Sequence, residues 1–308
     1  MTDNTQVIAV TGGLGGVGRW VVDRFASDGH DVVCIDRRLP SDNADAENVE
    51  FFEADLTDAG ETLDLLHAVD PDSVVHLAAI PDPTMHAGSR VFSTNIMATY
   101  NVLVAAGRLG ARIAWASSES AYGFPFAESL LLPDYLPIDE SHPMRPEDPY
   151  GVSKVAGESI ARMVTRRYDV QVASIRPSWV QYPGEYEVQS IRRDFDLDEA
   201  EPGSVIPGVG NFWSYIDVRD LADLFVRAIQ TELDGHEAYL AHAAENYMDV
   251  ETTTLVELVA DGSLPDPADI TGEQCAFTTA KARDELGWEP AHSWRTAESA
   301  SVDGPSFD

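Results

Sequence analysis

The sequence predicts an α/β fold: a doubly wound parallel sheet carrying a smaller C-terminal lobe. Three observations support this. Short apolar runs alternate with amphipathic stretches through the first half of the chain. The runs are rich in β-branched residues, which suits strands buried on both faces. The first run passes directly into a Gly-rich turn that opens a helical pattern.

In chain order, Val7–Thr11, Asp31–Ile35, Val49–Glu53, Ser73–Leu77, Arg112–Ala116 and Gln171–Ile175 read as strands. Gly16–Ser27, Ala59–Val69, Phe92–Leu109 and Pro149–Tyr168 read as the helices between them. That order is the signature of parallel strands joined by helical crossovers. After Arg176-Pro177 the texture changes, and residues 181–214 are rich in Gly, Pro and charge. Asp217–Gln230 reads as an amphipathic helix, Glu237–Leu240 as a strand, and Val250–Val259 and Thr279–Leu286 as short helices. Val302–Asp308 reads as a loose tail. The expected division is a dinucleotide-binding domain over 1–177, to which helix 217–231 returns. Residues 178–308 then form mainly a substrate-binding lobe and tail.

Charge narrows the function classes. The 308 residues include 53 acidic and 20 basic side chains, a formal net charge of −33. Nucleic acid is disfavoured as a partner, because a phosphate backbone needs clustered Lys and Arg. The only lysines are Lys154 and Lys281. Acidity with so little Lys resembles proteins of salt-accumulating halophiles, in which molar salt screens self-repulsion. No apolar run reaches the ~20 residues of a membrane span, and no secretory signal is visible, so a cytoplasmic protein is expected. Cys34 and Cys275 form no disulfide framework, and no Cys/His spacing suggests a metal site.

The turn after the first strand reads Thr11-Gly12-Gly13-Leu14-Gly15-Gly16-Val17-Gly18. Gly12, Gly15 and Gly18 allow a tight turn, close approach of backbone N–H groups to a pyrophosphate, and close helix packing; Gly16 and Val17 open the helix. Other Gly-rich turns occur, but the strand before this one and the helix after it make Rossmann-type dinucleotide binding the expectation. Asp36 ends the second strand, where a carboxylate accepts from adenosine ribose hydroxyls and repels a 2′-phosphate, which argues for NAD. Arg37 and Arg38 follow and leave NADP or dual use open. Asp55, with Leu56, is placed to meet the adenine; Asp55 could equally cap the helix that starts near Asp58.

Tyr150-Gly151-Val152-Ser153-Lys154 places a phenol and an ammonium on one helix face at i, i+4. A phenol with a pKa of about 10 is a poor base at neutral pH. A nearby ammonium and a cationic nicotinamide ring would pull it down, so that Tyr150 could take a hydroxyl proton as hydride leaves the carbon. An exposed Tyr/Lys pair is the plain alternative, but a chain with two lysines retains one here. Ser117-Ser118-Glu119 follow the fifth strand, at the sheet edge where open α/β folds bind ligands.

Together these residues resemble the extended short-chain dehydrogenase/reductase family, often labelled NAD-dependent epimerase/dehydratase. The likeness spans residues 6–295 and includes ADLTD at 54–58, HLAA at 76–79, Asn95 in TNIMATYN, SSESAYG at 117–123, PYGVSK at 149–154, and YIDVRDLADL at 215–224. It implies that Tyr150 is the general base/acid and that Lys154 lowers its pKa and binds the nicotinamide ribose. Ser118 would orient the substrate oxygen, with Ser117 the alternative and Glu119 beside them. Asn95 would support Lys154 and a proton-relay water. Leu77, Ala78 and Ala79 would line the cofactor, and Pro177 would lie near the nicotinamide. Homodimerisation is implied through the helices carrying Asn95 and Tyr150, with Ile160 and Met163 compatible.

The departures concern the substrate. Members acting on nucleotide-sugars often carry Asn where Trp179 stands, and an Arg within the stretch corresponding to Asn211-Phe212-Trp213-Ser214. Arg192, Arg193 or Arg219 could replace that diphosphate anchor, while Trp179 and Trp213 would suit stacking on a bare sugar. The expectation is therefore an NAD(P)-dependent oxidation of a free aldose or uronic acid at C1, giving a lactone. The alternatives are a nucleotide-sugar epimerase or dehydratase with recycled NAD, and a non-catalytic dinucleotide-binding regulator.

Overall fold

The computed structural model describes residues 5–41, 46–84, 86–203, 205–260, 262, 265–297, 302, 304, 305 and 307. Seven strands form one parallel sheet: β1 (Val7–Thr11), β2 (Asp31–Asp36), β3 (Val49–Glu53), β4 (Ser73–His76), β5 (Arg112–Ala116), β6 (Val172–Pro177) and, after a two-residue pair β7 (Val180–Gln181) and β8 (Ile216–Asp217), β9 (His236–Ala241). The order is β3-β2-β1-β4-β5-β6-β9. The chain winds outward from β1 to β3, then returns to pair β4 against β1, with Ile8 opposite Ser73 and Thr11 opposite His76. The carboxyl ends of β1 and β4 thus diverge into the crevice where such sheets hold ligands.

Helices cover both faces. α1 (Gly16–Ser27) and α6 (Val218–Gln230) pack on one side; α2 (Ala59–Val69), α3 (Gly88–Leu109) and α4 (Pro149–Tyr168) lie on the other. α5 (Val188–Asp194), α7 (Thr252–Val259) and α8 (Ala280–Leu286) follow in the second half. The sequence dictates the helix starts: Asp58, Asp148 and Asp217 each accept from first-turn amides of α2, α4 and α6. Asp58, not Asp55, is the cap of α2. α3 begins one turn before the expected Phe92, at Gly88. Among the described residues, no helix is long and apolar enough to cross a membrane.

Two apolar layers flank the sheet. Ile8, Val10, Val22, Phe25, Leu224 and Phe225 belong to one, and Val74, Val102, Leu103, Trp115 and Val164 to the other. A third core, rich in aromatics, builds the lobe. It draws Tyr122, Phe124, Leu136 and Ile138 from the β5–α4 connection and joins them to Phe212, Trp213, Tyr215 and Tyr247. The cores therefore do not split at residue 177: the lobe borrows from before it, while α6, β9 and α8 pack on the sheet after it. Cys34 and Cys275 are buried and free. The expected loose tail is docked at one point, because Phe307 is buried edge-on against Phe51, 5.4 Å between ring centres. Residues 303, 306 and 308 of that tail lie outside the described residues.

Candidate active site

Two cavities share Leu77 and Ala79 and form one cleft along the carboxyl edge of the sheet, of about 400 and 650 Å³. The first lies over β1, β2 and β4. Gly12 has a φ of +72°, and a Cβ there would sit 2.6 Å from the Ala78 backbone nitrogen. At Gly18 a Cβ would come within 2.1 Å of the Gly12 carbonyl oxygen. Glycine is thus the residue that lets the turn touch both the β4 end and its own helix. Gly15 caps α1 without a side-chain bond, so the first amides of that helix remain available. Asp36 holds the turn in place, accepting from Leu14 N at 3.1 Å and Arg37 N at 2.7 Å.

Gly12, Gly15, Asp36, Arg37, Asp55, Leu56, Leu77, Ala78 and Ala79 line this cavity. Leu14, Arg38, Ala54, Thr57, Ile80, Arg90, Thr94 and Ala98 complete it. Asp55 points its Oδ1 at the Thr57 amide and hydroxyl, at 3.0 and 2.8 Å. Those bonds hold its carboxyl below the usual range. Gly16 and Gly18 shape the helix start without lining the cavity, and Val17 lies in the second cavity.

The second cavity gathers Ser118, Glu119, Tyr150, Lys154, Pro177 and Trp179. Tyr150 and Lys154 follow the Asp148 cap on the first turns of α4, and the Lys154 Nζ lies 5.3 Å from the Tyr150 ring centre. Lys154 is buried, and its ammonium donates to Ala116 O at 2.6 Å. Ser118 hydrogen-bonds Tyr150, which favours the phenolate, but burial dominates and pushes the phenol up to about 12. Burial likewise pushes Lys154 down to about 7. The protein alone therefore does not lower the Tyr150 pKa as the spacing suggested. Both groups are driven toward neutrality, and negative charge at Asp148 further disfavours the phenolate.

Five sequence expectations are corrected. Asn95 does not engage Lys154: its Oδ1 accepts from Ile80 N at 2.7 Å and its Nδ2 donates to Ile80 O at 3.0 Å, pinning the β4–α3 loop. The Ser117 hydroxyl, although it borders the cleft, is taken by Glu158 at 2.9 Å, which also holds Arg176 at 2.7 and 2.8 Å. Trp213 is fully buried in the lobe core, with its Nε1 donating to Pro207 O, and does not line the cleft. Arg192 and Arg219 are paired with Asp249 and Asp217, and neither they nor the exposed Arg193 borders the cleft. Ile160 and Met163 pack inward on the sheet-facing core.

Sequence reasoning missed the roles of Asn211, Ser178, Phe126 and Tyr182, which also line the second cavity. It also missed His76, which is held between the Thr11 and Thr99 hydroxyls at 2.7 and 3.2 Å and pushed down to about 3 by burial.

A Gly turn beneath a parallel-sheet switch point, followed by Ser118, Tyr150 and Lys154 on one cleft, defines a dinucleotide-binding α/β protein. The chain matches the NAD dependent epimerase/dehydratase family over residues 8–241 and belongs to it. It is 32% identical over 306 residues to a UDP-glucose 4-epimerase of Mycolicibacterium smegmatis, covering 91% of this chain and 92% of that one. It is 35% identical over 202 residues to an L-arabinose 1-dehydrogenase (NAD(P)(+)) of Haloferax volcanii, covering 63% of this chain and 72% of that one. The crystal structure of a UDP-glucose 4-epimerase with UDP-glucose from Thermotoga maritima superposes with a TM-score of 0.69. It is 23% identical, covers 95% of this chain and 96% of that chain, and shares the fold. The matched relatives are mostly UDP-glucose 4-epimerases, with some sugar dehydrogenases among them.

The residues present fit the dinucleotide that the family implies. The uncapped start of α1 suits a pyrophosphate. Asp36, Asp55 and Leu56 border the same cavity where an adenosine would rest.

Proposed function

We propose that this chain oxidises a free sugar with NAD, at C1 of an aldose or uronic acid. A bound oxidised nicotinamide supplies the hydride acceptor and a positive charge that favours the Tyr150 phenolate. Tyr150 takes the proton of the C1 hydroxyl as the C1–H bond gives up its hydride. The C1–O bond becomes a carbonyl, and because the ring oxygen is already bonded to C1 the product is a lactone. Ser118 hydrogen-bonds the reacting oxygen. Lys154, anchored on Ala116 O, sits where it can bind the ribose and restore the proton balance at Tyr150. Asn95 acts at a distance, as a positioning residue that shapes the loop after β4.

The observation that supports a free sugar is the composition of the cleft. Among the described residues, no arginine lines the second cavity, and the stretch expected to carry a diphosphate anchor instead buries Trp213. A diphosphate in a dry cleft needs cationic donors. Asp36 favours NAD, and NADP is the second cofactor to assay, because Arg37 and Arg38 border the same cavity.

The competing reading is a nucleotide-sugar 4-epimerase with recycled NAD, and the 32% identity across nine-tenths of both chains favours it. The experiment follows absorbance at 340 nm in ~2–3 M KCl, the regime in which a −33 charge is screened. Steady NADH formation with a free sugar is the expected result. Interconversion of UDP-sugars without net NADH would reverse the assignment.

The assembly proposed is a homodimer through α3 and α4, where Phe92, Met97, Tyr100 and Val152 are exposed large apolar side chains. Light scattering should give twice the chain mass, and Met97→Asp should shift it toward the monomer. A cytoplasmic site of action agrees with two free, buried cysteines.

A further inference from the structure

Three pieces of chain close the substrate half of the cleft: the 3-10 turn Glu119–Tyr122, the segment 178–179, and the segment 208–214. The last contains two consecutive non-glycine residues in the left-handed region, Phe212 at φ 49° and Trp213 at φ 55°. Such a backbone persists only where the surroundings over-determine it. Here both rings are fully buried in the lobe core.

The bend places Asn211 in the cleft wall at 8% exposure, with Nδ2 donating to Ser214 O at 2.9 Å. Its Oδ1 is buried and has no partner. Glu119, 5% exposed, lines the same wall. Its Oε2 lies 3.4 Å from the Ser214 hydroxyl and 4.0 Å from His242 Nδ1. Ser178 and Ser214 share a hydrogen bond of 2.7 Å behind it. Among the described residues, Lys154 is the one cation lining the substrate half of the cleft, and it is already committed to Ala116 O.

We propose that Asn211 and Glu119 form a sugar-hydroxyl subsite, so that the substrate is an uncharged aldose and not a uronic acid or a sugar phosphate. This rests on the free-sugar reading above. A buried acceptor without a partner is costly until a donor arrives, and a sugar O–H is such a donor. A carboxylate or phosphate brings only acceptors and meets two oxygen-rich side chains with no free cation nearby. Burial holds the Glu119 carboxyl well above its ordinary range. Phe126 and Trp179 offer the apolar surface that a pyranose face covers.

The test uses the full chain with NAD in molar KCl. Galactose and glucose are each compared with the matching uronic acid and 6-phosphate, and xylose and arabinose are added. The expected kcat/KM for the neutral sugar exceeds that of its acid and its phosphate by about 100-fold. Asn211→Ala should raise the aldose KM about tenfold, leaving kcat within about threefold and NADH binding unchanged. Should that variant not fold, Glu119→Leu serves in its place, with Glu119→Gln expected to lie between it and wild type. Equal or better turnover of the acid or phosphate, or a wild-type KM in these variants, overturns the subsite while the dehydrogenase reading stands. A folded, NAD-binding protein that oxidises no free sugar of any charge overturns that reading, and the subsite with it.

Discussion

The two halves of the cleft are built by different means. The cofactor half is made largely of backbone: a Gly turn, an uncapped helix start, and strand ends fixed by Asp36. The substrate half is made of side chains from 118–126, 150–154, 178–182 and 208–211, held by an aromatic core. A backbone cradle binds whatever shares one phosphate geometry, whereas a side-chain wall can be recomposed while the cradle stays the same. That contrast explains how one family can include both epimerases and dehydrogenases, and why the substrate must be argued from the wall.

The contrast can be tested at its seam. Tyr150→Phe removes the proton acceptor where the halves meet, and kcat/KM should fall about 10³-fold with NADH affinity unchanged. Steady-state kinetics beside a fluorescence titration of NADH checks both parts. The next effect is on stability. Glu158 and Arg176 form a buried bidentate pair that also fixes Ser117 and Tyr122 under the substrate wall. Glu158→Ala strands the guanidinium and should cost about 3–5 kcal/mol in urea unfolding.

Within the cofactor half, Gly12→Ala forces a Cβ against Ala78 at a positive φ. It should weaken NADH binding about tenfold and cost about 1–3 kcal/mol, while the ratio of rates between any two sugars stays fixed. A changed ratio would show that the halves are not separable.

The smallest effect is on pH dependence. Lys154 ordinarily titrates at 10.5 and is pushed down to about 7 by burial. Between those values the unfolded chain binds a proton that the folded chain does not, so stability rises with pH across that window. Lys154→Met should flatten that slope by no more than one proton's worth, measured from thermal midpoints between pH 7 and 10.

Legibility followed the same division. The Gly turn, Asp36 and the strand order could be read because each is a local pattern whose geometry is set by neighbours in sequence. Tyr150 and Lys154 could be read because i, i+4 spacing fixes a face. Asn95, Ser117 and Trp213 were misplaced because their partners, Ile80, Glu158 and the lobe core, are brought to them only by the tertiary fold. Asn211 sat inside the very stretch read for its missing Arg, but the bend that turns it into the cleft comes from buried Phe212 and Trp213. Ile160 and Met163, compatible in sequence with the dimer that the resemblance implies, pack against the core, and the exposed large apolar side chains of α3 and α4 are Phe92, Met97, Tyr100 and Val152.

The central claim is that the substrate half has no means of holding a nucleotide diphosphate. Calorimetric titration of UDP-glucose into the NADH-bound protein in molar KCl tests this directly. The account predicts no saturable binding up to about 1 mM. Saturation in the micromolar range would contradict it and place the chain with the epimerases.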